Sequence, residues 1–264
     1  MPVSKVDALQ SWFEPLDRVV VAYSGGTDST LVAAVAARAL RDRALAVTAV
    51  SPSLAPGELE EARAVARRLG IDHRTVRTRE VDKPEYLANG LDRCYHCKTE
   101  LYDVLAAVAA GAGATAVVSG ANVDDLADFR PGLKAAEEHG VRHPLVEVGF
   151  SKAEVREAAR ALGVPNWDKP ASACLSSRFA YGVRISVEEL SRVGRAELVL
   201  RDLGFRQCRV RVHGDVVRIE VDADQVVRLA EPEARRVVVD ALKRLGYRYV
   251  TVDLEGFRSG SMNP

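Results

Sequence analysis

The segment Val19-Val20-Val21-Ala22-Tyr23-Ser24-Gly25-Gly26-Thr27-Asp28-Ser29-Thr30 constrains this chain more than any other. Its β-branched run reads as a strand buried on both faces, the habit of a parallel sheet. The run stops at Ser-Gly-Gly, and Leu31 to Leu40 continue as an Ala/Leu/Val helix. A strand, a glycine turn and a helix start together make an anion site, because the first-turn amides and the helix dipole both face the turn. Gly25 and Gly26 let a phosphate approach the backbone, and Ser24, Thr27, Ser29 and Thr30 add hydroxyls. No Lys follows these glycines, so the G-x-x-x-x-G-K-[ST] grip of kinases and GTPases does not fit. The plainer alternative is a turn that merely joins a strand to a helix.

The same alternation continues to about Leu162. Strands are expected at Val19–Tyr23, Leu45–Val50, His73–Val76 and Ala116–Ser119, with helices at Ser29–Leu40, Glu58–Leu69, Lys98–Val108 and Lys152–Leu162. Short strands separated by helices predict an α/β fold with a doubly wound parallel sheet. Ligands of such sheets sit beyond the carboxyl ends of the strands. The glycine turn, Ser51-Pro52-Ser53 and Ser119-Gly120-Ala121-Asn122 all fall there. Ser51 and Gly120 therefore join Ser24, Gly25, Gly26, Thr27, Asp28 and Ser29 as candidate nucleotide-binding residues. Asp124 and Asp125 read equally well as helix-capping groups or as functional carboxylates.

After Ile185 the pattern changes to a helix (Val187–Leu203), a hairpin (Cys208–His213 and Val216–Val221 about Gly214-Asp215), a helix (Pro232–Leu245) and a strand (Tyr247–Leu254). We place a boundary near residue 184, giving residues 1–184 as the larger domain and 185–264 as a small α+β domain for substrate contacts or oligomerisation. Arg209 and Arg211 share one face of the hairpin, as an anion patch or as a solvated strand face.

Lys+Arg and Asp+Glu balance at 37 each, so no net field draws the protein to nucleic acid. No apolar run approaches the ~20 residues of a membrane span. The first residues lack the apolar core of a signal peptide, so a cytoplasmic protein is expected.

Four cysteines in 264 residues are too few for a disulfide framework and point to thiol, metal or cluster roles. Cys94 and Cys97 form a C-x-x-C at the entrance to a helix, where two thiolates are favoured and can hold one metal centre. Cys174 lies among small residues, with Lys169 and Arg178 near enough in sequence to favour its thiolate. A zinc site of three cysteines with His96 or His143, and a Cys94–Cys97 redox pair with Cys174 as acyl acceptor, are competing readings. Cys208, inside an alternating strand, reads as packing.

S-G-G-x-D-S resembles the pyrophosphate loop of the ATP pyrophosphatases, which include GMP synthetase, NAD synthetase and the tRNA thiolases. That likeness implies cleavage of ATP between its α and β phosphates, formation of an adenylate, and a role for Asp28 in placing Mg2+. W-D-K-P-A-S-A-C-L-S-S-R-F-A-Y-G, R-C-Y-H-C-K, D-D-L-A-D-F-R-P-G and the terminal G-F-R-S-G-S-M-N are similar to motifs of the LarE family of ATP-dependent sulfur transferases, in the same order. The resemblance implies that a carboxylate of pyridinium-3,5-biscarboxylic acid mononucleotide is adenylated and converted to a thiocarboxylate, in making the nickel-pincer nucleotide cofactor of lactate racemase. One kind of member sacrifices a single cysteine, which becomes dehydroalanine. The other holds a [4Fe–4S] cluster on three. Cys174 matches the sacrificial position, and Cys94 with Cys97 makes this chain resemble the cluster-bearing kind. Three thiolates leave one iron open to an exogenous sulfide. The resemblance also implies a phosphate or carboxylate contact for Arg258, against which stands a solvated Arg near a chain end. An outside sulfide donor and a homo-oligomer complete the expectation. A tRNA thiolase, which needs a basic surface, and a non-catalytic nucleotide sensor are the rival readings.

Overall fold

The computed structural model describes residues 2–127, 131–170, 172–258 and 261–262. The chain divides into two compact units. The larger comprises residues 1–51, 57–86 and 92–171, and the smaller comprises 52–56, 87–91 and 172–264.

In chain order the first part runs α1 (Pro2–Phe13), β1 (Val19–Ala22), α2 (Thr27–Leu40), β2 (Ala44–Val50), α3 (Glu58–Arg68), β3 (Asp72–Arg77), α4 (Pro84–Leu87), α5 (Arg93–Ala112), β4 (Ala116–Val118), α6 (Pro131–Glu138), α7 (Pro144–Val148) and α8 (Lys152–Ala161). The strands pair in parallel in the order β3-β2-β1-β4. Successive valines of β1 explain why the sheet is covered on both sides. Val19 and Val21 pack with Leu9 and Phe13 of α1, Leu31 and Val35 of α2 and Val155 of α8. Val20 faces the other way, toward Tyr102 and Leu105 of α5 and Ala135 of α6. The period of two along a strand thus feeds two separate cores, and the α/β doubly wound sheet is as expected. This arrangement sets the β1–α2 turn at the carboxyl edge of the central strand.

The helix expected over 98–108 instead runs from Arg93 to Ala112, ending at Gly113 with φ +66°. Nothing in Cys-Tyr-His-Cys breaks a helix, so the C-x-x-C lies within the first two turns. Cys94 and Cys97, three apart, share one face.

The smaller unit has α9 (Val187–Asp202), β5 (Cys208–His213), β6 (Val216–Val221), α10 (Val226–Ala230), α11 (Pro232–Arg244) and β7 (Tyr249–Val252). β5 and β6 form the expected hairpin, with His213 opposite Val216 and Gly214 at φ +62°, and β7 adds in parallel to β6. Segments 52–56 and 87–91 are stitched to it by main-chain bonds. Leu175 N donates to Ser53 O at 2.9 Å, Gly182 N to Asn89 O at 2.8 Å and Ile185 N to Leu87 O at 2.9 Å.

Candidate active site

The two loop glycines do different jobs. Gly25 sits at φ +72°, and a Cβ there would lie 2.7 Å from Ala62 Cβ of α3, so both its conformation and its packing require glycine. Gly26 has an ordinary φ of −79° and is the N-cap of α2, with no side-chain cap. The first-turn amides of α2 thus make no bond to an N-cap side chain, an arrangement that suits an anion. Gly120 closes the loop's flank, because a Cβ there would lie 2.7 Å from Ser29 N and 3.0 Å from the Asp28 carbonyl carbon.

Of the four hydroxyls expected to serve a phosphate, three donate to main-chain carbonyls, Ser29 Oγ reaching Gly26 O at 3.1 Å. Thr27 Oγ1 donates to Asn166 O at 3.0 Å and Thr30 Oγ1 donates to Gly26 O at 2.8 Å. Ser24 is exposed at the loop, its hydroxyl 3.1 Å from that of the buried Ser29 and its N–H donating to Ser29 Oγ at 3.2 Å. Asn166, which the sequence reading missed, braces the loop from below. Its Nδ2 donates to Gly25 O at 2.8 Å and to Thr30 Oγ1 at 3.3 Å.

Asp28, on the first turn of α2, is half-buried and makes two contacts. Its Oδ2 forms an ion pair with Lys152 Nζ, and its Oδ1 accepts from Asn122 Nδ2 at 3.3 Å. Lys152 opens α8, where Ser151 and Glu154 form a reciprocal capping box. Its own N–H donates to Asp124 Oδ2 at 2.7 Å, while Asp125 Oδ2 accepts from Asn122 N at 3.1 Å. Both carboxylates thus tie down backbone amides, in keeping with the capping reading. Residues 128–130 of the D-D-L-A-D-F-R-P-G motif lie outside the described residues. At the end of β2 the Ser51 hydroxyl bonds the buried carboxylate of Glu80.

None of the four cysteines forms a disulfide; Cys94, Cys97 and Cys174 are half-buried and Cys208 is buried. Arg93 Nη2 donates to Cys94 Sγ at 3.7 Å. Two soft donors on one helix face suit iron or zinc. His96 Nε2 is 3.1 Å from Asp92 Oδ2, and His143 Nδ1 is 2.7 Å from Ser119 Oγ. Both histidines offered as a fourth zinc ligand are so engaged, and among the described residues no three His, Cys, Asp or Glu side chains gather as a metal-holding group. Lys169, expected to assist Cys174, is instead held by Glu58 at 2.9 Å and Glu61 at 2.7 Å. Trp167 carries the Arg160 guanidinium over its ring, 5.2 Å from the centroid.

Arg178 is committed as well. Its Nε and Nη2 reach Glu197 at 2.7 and 3.0 Å, and its Nη1 donates to the carbonyls of Ala173 and Cys174 at 3.0 and 3.1 Å. The guanidinium fixes the backbone of the cysteine turn. Burial pushes the Glu197 carboxyl up, yet the Arg178 pair outweighs it and holds that carboxyl below the usual range.

Arg209 and Arg211 occupy a buried strand, not a solvated face. Arg211 pairs with the fully buried Glu220 at 2.9 Å. Burial, and then the Arg178 charge, pull Arg209 down to about 10. Three buried guanidiniums, of Arg178, Arg209 and Arg211, thus stand with two buried carboxylates, of Glu197 and Glu220. Arg258 lies half exposed and pairs with Glu255 at 2.6 Å, and its neighbours 259 and 260 are outside the described residues.

A family model for NAD synthase matches residues 9–88, the span that holds the loop. Over 261 residues, 98% of this chain and 94% of the relative, the sequence is 40% identical to pyridinium-3,5-bisthiocarboxylic acid mononucleotide synthase of Lactiplantibacillus plantarum. The chain belongs to the LarE family. It is an ATP-dependent sulfur transferase of the pyrophosphate-loop type. An uncharacterized protein of Synechocystis sp. is 50% identical over 98% of this chain and 97% of its own length. The tRNA-specific 2-thiouridylase MnmA of Azorhizobium caulinodans is 33% identical, but over only 59% of this chain and 49% of that protein. No described helix is long and apolar enough to cross a membrane.

Proposed function

We propose that this LarE-family enzyme adenylates a carboxylate of pyridinium-3,5-biscarboxylic acid mononucleotide and converts it to a thiocarboxylate, in making the nickel-pincer cofactor of lactate racemase. The full-length likeness to the synthase carries this reading. In the first step a substrate carboxylate oxygen attacks the α-phosphorus of ATP, and pyrophosphate leaves. The first-turn amides of α2, with Ser24 and Ser29, receive the departing phosphates. Asp28, whose carboxylate already engages a cation, is the residue to hold Mg2+, which neutralises phosphate charge when bound. Lys152 supplies a second cation beside it. Arg209, Arg211 and Arg258 are assigned to anionic groups of the mononucleotide.

In the second step sulfide attacks the acyl carbon and AMP departs. We assign Cys94, Cys97 and Cys174 as ligands of a [4Fe–4S] cluster, which when bound supplies an iron that carries the sulfide furnished by an outside donor. Arg178 keeps the Cys174 turn in one conformation through its two carbonyl contacts. We further propose a cytoplasmic homo-oligomer.

Anaerobic iron and sulfide analysis of wild type and of the Cys94→Ser, Cys97→Ser and Cys174→Ser variants tests the assignment. A shared cluster predicts that each variant loses iron and sulfur transfer but keeps pyrophosphate release. Iron-free wild type, loss of activity in the Cys174 variant alone, and a wild-type chain lighter by one hydrogen sulfide after turnover would establish the sacrificial route instead. Tight binding of bulk tRNA that weakens steeply with salt would revive the thiolase reading.

A further inference from the structure

Asn122 has no part in the chemistry so far, yet it is 1% exposed and fully engaged. Its Nδ2 donates to Asp28 Oδ1 at 3.3 Å, and its Oδ1 accepts from Asp124 N at 3.1 Å. Its own N–H donates to Asp125 Oδ2 at 3.1 Å. A carboxylate on the first turn of a helix turns readily about its last bond, since that torsion is broad and two-fold. A donor on one oxygen fixes the plane. The other oxygen is then presented to a cation, as the Lys152 ammonium on Oδ2 demonstrates.

The two partners differ in how easily they leave. Lys152 reaches Asp28 along a flexible stem and is 40% exposed. Asn122 is held by two backbone bonds and cannot move without the whole turn. It is also neutral, so it orients the carboxylate without competing for it by charge.

We propose that Asn122 is a positioning residue that aims the Asp28 carboxylate at Mg2+, an inference that rests on the ATP–magnesium reading above. The test substitutes Asn122→Leu, of similar volume but without a donor, and Asn122→Ser. The serine keeps a hydroxyl for the Asp124 amide and is too short to reach Asp28, so it serves if the leucine variant fails to fold. Calorimetry with α,β-methylene-ATP, with and without Mg2+, separates aiming from general damage. The variants should need about tenfold more Mg2+ for half-maximal binding and for half-maximal pyrophosphate release, as loss of an orienting partner commonly does. Metal-free binding and the KM for ATP at saturating Mg2+ should move less than about threefold by the same argument. In an Asp28→Asn background the Asn122 substitution should add nothing.

An unchanged Mg2+ midpoint in a folded variant would overturn the proposal, as would a loss that persists undiminished beside Asp28→Asn. Wild type that binds the analogue equally with and without Mg2+ would remove the magnesium reading itself.

Discussion

Replacing Gly25 by Ala separates what the loop needs to fold from what it needs to bind. At φ +72° an L-residue costs roughly 1–2 kcal/mol in backbone conformation. The new methyl would also stand 2.7 Å from Ala62 Cβ and 3.0 Å from Ala62 Cα, too close for either. Overpacking of this kind adds roughly 1–3 kcal/mol. The sum, about 2–5 kcal/mol, corresponds to a fall of roughly 5–15 °C in thermal midpoint for a chain of this size. Because the loop must shift away from α3, ATP binding should weaken about tenfold or more, as displaced backbone donors ordinarily cause. Removing the opposing methyl with Ala62→Gly costs about 1 kcal/mol by itself in helix propensity. In the double variant it should return about 1–2 kcal/mol, a coupling that only direct contact produces. Gly26→Ala is the contrast. Its φ is −79° and the nearest foreign atom is Ser24 Oγ at 3.4 Å, so the fold should tolerate it while the added methyl obstructs the phosphate side. Thermal scans and calorimetric titration of an ATP analogue on the four variants supply the measurement. Gly25→Ala with an unshifted midpoint and unchanged nucleotide affinity would refute the account, and strict additivity with Ala62→Gly would refute the steric part.

Asp28→Asn should abolish pyrophosphate release with no loss of secondary structure by circular dichroism, and turnover near the wild-type rate would show that the carboxylate is not part of the phosphate machinery. Glu197→Ala should destabilise by about 3–5 kcal/mol, since it strands the buried Arg178 guanidinium and the Val210 amide; a midpoint within about 2 °C of wild type would contradict that. Cys208 carries a pH effect. Burial, then the Glu197 charge, push its thiol from 9.0 up to about 11. The folded chain therefore holds this proton after the unfolded chain has released it, and stability falls as pH rises from about 9 to 11, by about 2–3 kcal/mol in all. Cys208→Ala should be less stable than wild type near pH 8, with the gap narrowing by about that amount toward pH 11; a gap independent of pH would show that the thiol does not ionise differentially.

Local patterns were legible in the sequence and long-range ones were not. The β1–α2 turn could be read because strand period, glycines and helix start are all written within 12 consecutive residues. The capping box at Ser151 and Glu154 is equally local, but that Lys152 would meet Asp28, 124 positions away, has no local trace. Asn122 could be placed at a strand end beside the glycine turn, but its bond to Asp28, 94 positions away, leaves no local trace either. The R-V-R-V alternation in β5 looks half-solvated until Glu197 and Glu220 are seen to neutralise it in the interior. At α5 the error was one of extent, because Cys, Tyr and His have middling helix propensity and tertiary packing decides where the helix begins.

The smaller unit is discontinuous, with residues 52–56 and 87–91 contributing backbone bonds to the segment after 172. No single cut of the polypeptide releases it whole. During synthesis its first two pieces emerge well before the strands and helices they join, so it cannot close until the last third of the chain has been made. A gene fragment beginning at residue 172 would lack the Ser53 carbonyl that receives the Leu175 amide and the Asn89 carboxamide that donates to Ala180 and Val183. Exchange of this unit between relatives therefore has to transfer three stretches of sequence together, and recombination at one junction would leave the cysteine turn without its seat.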